Sequence, residues 1–325
     1  MIKENDYLFA SSFVRASEKG GSAKERFEKI YSSSTYDSLC KNAAEIFSVD
    51  DCGDLEKILE NARERCVNII SSSVPDFYVF APLLYKYDCN NIKTALKCKI
   101  LGIDCKGRLS HAGYIPAEKI ISAFDSGVLS SIGGKMGEAA MKANEAYMKT
   151  GEARIIDLML DRACFEDMTD TAKENGVALI SKIVSLRCDA VNILTFIRIK
   201  ALRMPEESTL SLMERSFVSG GEIPADAFSG DRDNLIKHLT DHPYKRIFCE
   251  ICDKDLPFAV AEKMLDEVIL SNLADVKFMA FGPEIPVRAL LVTEAEIMNC
   301  RIMARAISEG SDKAEAKERM RFSYA

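Results

Sequence analysis

Tryptophan is absent from this chain, and histidine occurs only three times. Glycine (17) and proline (9) are scarce among 325 residues. Sheet-rich folds need many turns, so this scarcity favours helices. Long apolar runs are missing too. The longest stretch without a charged residue, Cys66 to Pro75, is ten residues, whereas a membrane helix needs about 20. The chain is therefore not expected to span a bilayer. The start, MIKENDYLFA, has no apolar core after a basic segment, so no secretory leader is expected and the protein is expected to stay in the cytosol. A basic excess is lacking as well, with 43 Lys and Arg against 50 Asp and Glu, a net charge of -7. Phosphate neutralisation supplies most of the affinity of nucleic-acid binders, so this balance argues against that role.

What is present is an ordinary globular composition, 47% hydrophobic and 29% charged, enough to bury a core. The eleven cysteines are odd in number and scattered. Disulfide frameworks belong mainly to small secreted domains, so these read as reduced, small apolar core residues. Most segments have the helical period: Ala140–Met148 and Ile155–Phe165 place apolar residues three and four apart. Asp54 suits the cap of a helix through Lys57 to Ile70, with Ser71, Ser72, Ser73 and Pro75 ending it. Gly133-Gly134, Gly220-Gly221 and Gly310 mark breaks. No period-two strands with hairpin turns occur, and the fold class expected is all-α.

An internal repeat organises the chain. Tyr87–Leu101 and Cys188–Leu202 align without a gap, matching Asp88 with Asp189, Asn91 with Asn192, Ile92 with Ile193, Thr94 with Thr195, Lys99 with Lys200 and Leu101 with Leu202. Lys97 meets Arg198, keeping the charge. Downstream, Gly113-Tyr114-Ile115-Pro116-Ala117 matches Gly221-Glu222-Ile223-Pro224-Ala225 after a seven-residue insertion. A fainter third copy carries Glu296, Asn299, Arg301 and Arg305 where the first has Asp88, Asn91, Lys93 and Lys97, with Ala81 and Leu83 upstream meeting Ala289 and Leu291. Three copies imply three helical lobes, 1–112, 113–220 and 221–325. On a helix, Asp88, Asn91, Ile92, Ala95 and Lys99 share one face. So do Asp189, Asn192, Ile193, Phe196 and Lys200, and in the third copy Glu296, Asn299, Cys300 and Met303, with Ile307 replacing the lysine. The carboxylate there suits a helix cap or a cation. Lys97, Arg198 and Arg305 lie on the opposite side, as a solvated face or a contact for an acidic partner.

These residues resemble the C subunit of V-type and archaeal-type ATPases and ATP synthases, called the d subunit in the eukaryotic V-ATPase. The similarity runs through Tyr7 with Phe13-Val14-Arg15-Ala16, Glu25–Ile30, Lys86-Tyr87-Asp88 with Asn91-Ile92-Lys93, and Ile156-Asp157 with Leu160-Asp161 and Phe165. It continues through Asp189, Asn192 and Arg198, then Glu296, Asn299 and Arg301, to a terminal helix with Glu318-Arg319, Arg321 and Tyr324. Leu194, standing where the other copies have Lys93 and Arg301, departs from the pattern, as does Leu186-Arg187-Cys188 against Tyr85-Lys86-Tyr87. The resemblance implies three similar lobes around a pseudo-threefold axis, shaped like a funnel. It implies a non-catalytic, peripheral central-stalk component on the cytoplasmic face of the membrane, with the rotor ring and the shaft as partners, no cofactor, and torque transmission for ion transport. The alternatives are a helical repeat scaffold for other proteins and a zinc or thiol enzyme.

Motifs for chemistry are weak. Gly133-Gly134-Lys135 is the nearest approach to a phosphate loop, but Met136 stands in the hydroxyl position and Leu129 where the first glycine belongs. His238 and His242 with Cys249 and Cys252 have zinc-like spacing, against which Pro243 breaks the helix and no second CxxC follows. Asp50-Asp51 and Glu206-Glu207 are adjacent in sequence and so do not face one another on a helix. No catalytic, cofactor or metal residue is assigned, and His111 reads as a surface or packing residue.

Overall fold

Polar caps set several of the helix starts of this chain. The Ser22 hydroxyl accepts from the Glu25 amide while the Glu25 carboxylate accepts from the Ser22 amide, and Thr35 with Ser38 repeats the device. Asp54 caps the next helix as its position in the sequence suggests. That helix runs on to Ser73, past Ile70, and the hydroxyls of Ser71, Ser72 and Ser73 fold back onto carbonyls three and four residues earlier. Pro75 then prevents its continuation.

The computed structural model describes residues 4–18, 20–322 and 324, so Met1–Lys3 of the N-terminal segment lie outside it. About 75% of the chain is helical and no strand occurs among the described residues. The all-α expectation holds. The chain begins with α1 (Leu8–Ser17), α2 (Ala23–Ser32), α3 (Tyr36–Phe47) and α4 (Leu55–Ser73). It continues through α5 (Ala81–Leu101), α6 (Ala117–Ser126), α7 (Gly134–Thr150), α8 (Ala153–Asn175), α9 (Ala178–Ala201), α10 (Glu206–Ser216) and α11 (Arg232–His238). It ends with α12 (Lys245–Asp253), α13 (Phe258–Ser271), α14 (Glu284–Glu309) and α15 (Lys313–Arg319). None of these helices is long and apolar enough to cross a membrane.

Two compact units result. The first joins the residues up to Phe77 with those from Asp241 on; the second is Tyr78–Thr240. These cuts differ from the three sequence blocks because of where the motif helices pack. In the second unit α5 lies on α8, a helix of the following block, and in the first unit α14 lies on α4, α3 and α1. The core of the first unit gathers Phe27, Ile30, Leu39, Ile58 and Leu59 around Ile297, Cys300 and Met303 of α14. Each such side chain contributes roughly 1.5–3 kcal/mol by leaving water. In the second unit α5 and α9 are buried around most of their circumference, with Leu83, Leu84, Ile92 and Leu96 of α5 and Ile180, Ile183, Ile193 and Phe196 of α9 withdrawn from solvent. The eleven cysteines form no disulfide; Cys40, Cys89, Cys98, Cys164, Cys188 and Cys300 are buried.

Candidate functional site

The repeated residues become side-chain clamps on loops. In the second unit, Asn91 on α5 donates through Nδ2 to the Ser110 carbonyl at 2.8 Å and accepts the Ser110 amide on Oδ1, also at 2.8 Å. Asn192 on α9 does the same with Val218, at 2.8 and 3.0 Å. In the first unit, Asn299 on α14 holds Arg321, at 2.8 and 2.7 Å. One primary amide therefore satisfies both polar groups of a single residue, and all three asparagines are buried. The bonded residue lies 19, 26 and 22 positions downstream. The seven-residue insertion of the second copy accommodates α10, and the third copy places α15 in the same interval.

The carboxylates one turn earlier act on the next piece of loop. Asp88 accepts the amides of Tyr114 and Ile115, one on each oxygen, at 3.2 and 3.0 Å. Asp189 accepts those of Glu222 and Ile223, at 2.9 and 3.0 Å. This explains the repeated glycine. A Cβ on Gly113 would lie 2.1 Å from Asp88 Oδ1, and one on Gly221 2.0 Å from Asp189 Oδ1. Neither glycine has a positive φ, so their requirement is for space and not for conformation. Pro116 and Pro224 follow, each at the N-terminal boundary of a helical turn, α6 in the first case and the 3-10 segment Ala225–Phe228 in the second.

The third copy solves the same problem differently. No Gly-x-Ile-Pro-Ala segment follows its motif, and Glu296 instead accepts Nε of Arg26 at 2.7 Å, with both side chains buried. Arg26 also donates to the Gly21 carbonyl. The sequence reading missed this partner; the readable signal was the longer acid, Glu in place of Asp, together with the missing glycine. Arg321 and Tyr324, expected on a terminal helix, lie beyond α15. There Arg321 pairs with Asp266 at 2.8 Å and the Tyr324 ring is fully buried.

The cations of the motif are placed as a separate set. Lys93 reaches Asp161 at 2.5 Å and Lys97 reaches Asp157 at 2.7 Å, tying α5 to α8. Arg301 holds both oxygens of Glu56 on α4. Arg305 pairs with Glu309 in its own helix, and Arg198 is exposed. Lys99 donates to the Phe124 carbonyl at 2.6 Å, and Lys200 lies over the Phe196 ring. Leu194, lacking a charge, makes no counterpart of the Lys93 pair. The acids and amides of the motif are thus buried against loops or Arg26, while Lys93, Lys97, Arg301 and Arg305 each meet a carboxylate.

A further carboxylate clamp falls on Gly133-Gly134, the pair nearest in sequence to a phosphate loop. Asp167 on α8 accepts the amides of Lys135 and Met136 at 2.8 and 2.9 Å. It thereby occupies the amides at the N-terminus of α7 that a phosphate would require. A Cβ on Gly134 would come within 2.7 Å of its Oδ2. Lys135 itself reaches Asp170 at 2.6 Å. The zinc-like set does not assemble as a helical pair either. α11 ends at His238, whose Nδ1 faces the Asn234 carbonyl, so His242 is not one turn further along that helix. His242 Nδ1 accepts the Tyr244 amide, and Cys249 and Cys252 are half-buried on α12. No group of three or more His, Cys, Asp or Glu able to hold a metal occurs among the described residues. His111 is exposed, 3.8 Å from Glu118.

Burial perturbs Asp88, Glu296 and Asp167. It pushes the Asp88 carboxyl up to about 7 against the pull of its two amides, and Glu296 up to about 7 against the pull of Arg26. Asp167 is raised for the same reason, its two amides opposing. A carboxyl whose pKa is higher folded than unfolded binds its proton more tightly when folded. Its stabilising contribution is full below the unfolded value near 4 and is lost as pH rises to about 7. The Asp88 carboxyl carbon should accordingly titrate by NMR with a midpoint near 7. The pH dependence of unfolding between 4 and 7 should be shallower in Asp88→Asn. A midpoint near 4 contradicts this.

Two comparisons place the chain among known proteins. The family model described as "ATP synthase (C/AC39) subunit" matches residues 24–319. The chain is 21% identical over 346 residues to the C subunit of the A-type ATP synthase of Thermococcus onnurineus, covering 97% of this chain and 90% of that one. It is 22% identical over 339 residues to the proteins of the same name from Thermococcus gammatolerans and Desulfurococcus sp., again over 97% of this chain and 90% and 91% of theirs. With the match spanning nearly the whole length, the chain belongs to the ATP synthase (C/AC39) subunit family.

Proposed function

We propose that this protein is the non-catalytic central-stalk component of a rotary A-type or V-type ATPase, joining the rotor ring to the shaft on the cytoplasmic side of the membrane. The observation that carries the reading is the family match over residues 24–319. The geometry is in keeping with it. A part that transmits torque needs stiffness and interfaces, not an activated nucleophile. Each motif helix is fastened to a loop 19 to 26 residues away by an asparagine that bonds both polar groups of one residue. The threefold recurrence of that device supports three related lobes, 1–112, 113–220 and 221–325, arranged about a pseudo-threefold axis as a funnel. In this reading the chain hydrolyses no ATP and needs no cofactor.

The test is binding of the purified chain to isolated rotor rings and to the isolated shaft. The reading expects a stoichiometric complex with each, and a ternary complex when all are mixed. Binding to neither favours a scaffold for other partners.

A further inference from the structure

The helices of the second unit run in alternating directions. Tyr85 meets Thr171, Lys93 meets Asp161 and Lys97 meets Asp157, so α5 is antiparallel to α8. Ser181 meets Ala172 and Thr169 meets Cys188, so α9 is antiparallel to α8. Asp167, late in α8, caps the start of α7, so α7 is antiparallel to α8 as well. The C-terminal ends of α5, α7 and α9 therefore gather where α8 begins.

That end is apolar where water is. Leu101 is 69% exposed, Met148 76%, Leu202 58% and Ile103 46%. They come from three helix ends, and Leu101 and Leu202 occupy the same position of the repeat. In the end segments 99–108, 148–154 and 198–207 that carry them, the exposed cations Lys99, Lys106, Arg108, Lys149, Arg154, Arg198, Lys200 and Arg203 outnumber the exposed carboxylates Asp104, Glu152, Glu206 and Glu207. This local basic excess stands out in a chain of net charge -7. The negative ends of helices account for nearby lysines. They do not account for large apolar side chains left in water at three neighbouring termini, the mark of a surface that becomes covered.

We propose that this end of the second unit docks on the rotor ring, against loops that expose carboxylates around apolar side chains. The proposal rests on the rotor-coupling reading. Charge complementarity selects an acidic protein surface. Equivalent side chains at the ends of two repeated helices fit a partner that is itself a repeat of identical protomers better than the single foot of a shaft.

The experiment uses the full chain, detergent-purified rings, isolated shaft and anionic phospholipid vesicles. Two variants are compared with the parent: Leu101→Ser with Leu202→Ser, and Lys149→Glu with Arg154→Glu. All four side chains are exposed, and the thermal midpoint confirms that each variant folds. Expected is at least a tenfold loss of ring affinity in both, a weaker salt dependence in the charge variant, and unchanged binding to the shaft. Unchanged ring affinity, or a loss of shaft binding in its place, overturns the proposal while leaving the functional reading intact. So does parent binding to vesicles that both variants lose while the ring is still bound. A parent chain that binds neither ring nor shaft removes the functional reading, and the proposal with it.

Discussion

Asn192→Ala is expected to lower the unfolding free energy by about 3 kcal/mol, as read from urea denaturation. The side chain is fully buried and serves both the amide and the carbonyl of Val218, which is itself 4% exposed. Truncation leaves two buried polar groups without partners, each costing roughly 1–3 kcal/mol. Asn192→Asp keeps an acceptor for the amide but loses the donor to the carbonyl, so it should not restore stability. Arg305→Ala, by contrast, removes an exposed side chain paired with Glu309 within one helix and should stay within about 0.5 kcal/mol of the parent. If Asn192→Ala and Arg305→Ala cost the same, the motif amide is not a clamp on that loop.

Gly221→Ala should be comparably damaging for a different reason. The added methyl would sit 2.0 Å from Asp189 Oδ1, far inside contact distance, so the carboxylate must leave the amides of Glu222 and Ile223. We expect a loss of about 2–4 kcal/mol from the two stranded donors and the displaced acid. Because the backbone is not left-handed at this glycine, the cost depends on the carboxylate. In an Asp189→Ala background the same Gly221→Ala change should cost under about 1 kcal/mol, since the methyl then enters vacated space. A double-mutant cycle measures this coupling directly. Additive effects would mean that the glycine is there for another reason.

These two sites show how much the sequence disclosed. The repeat placed Asp88, Asn91, Asp189, Asn192, Glu296 and Asn299 on shared faces, because helical spacing alone fixes which residues line up. It did not disclose that Gly113 and Gly221 are the counterparts of those acids. Those partners lie 25 and 32 positions apart in the chain, and only coordinates bring the Cβ position against the carboxylate. Arg26 lay further off, 270 residues from Glu296. No local pattern signals such a partner, beyond the absence of a glycine block after the third motif. The unit boundaries were also hidden. Sequence periodicity marks where a block repeats, whereas contact follows packing, and α5 packs on a helix of the next block. The terminal helix expected from the resemblance overran α15, which ends at Arg319; pairing of Arg321 with Asn299 and Asp266 draws that segment out of the helix.

In the proposed role, the clamps would bear on function through stiffness. A loop fastened by buried two-point bonds opens only with substantial local unfolding, and a part that carries torque must not yield between its interfaces. The most direct measurement is ATP hydrolysis and ion uptake recorded together in reconstituted complexes, with this chain omitted and then added back. The account predicts that hydrolysis persists without the chain while ion transport is lost, and that adding the chain restores both in proportion. Coupled ion transport in complexes lacking the chain would contradict it.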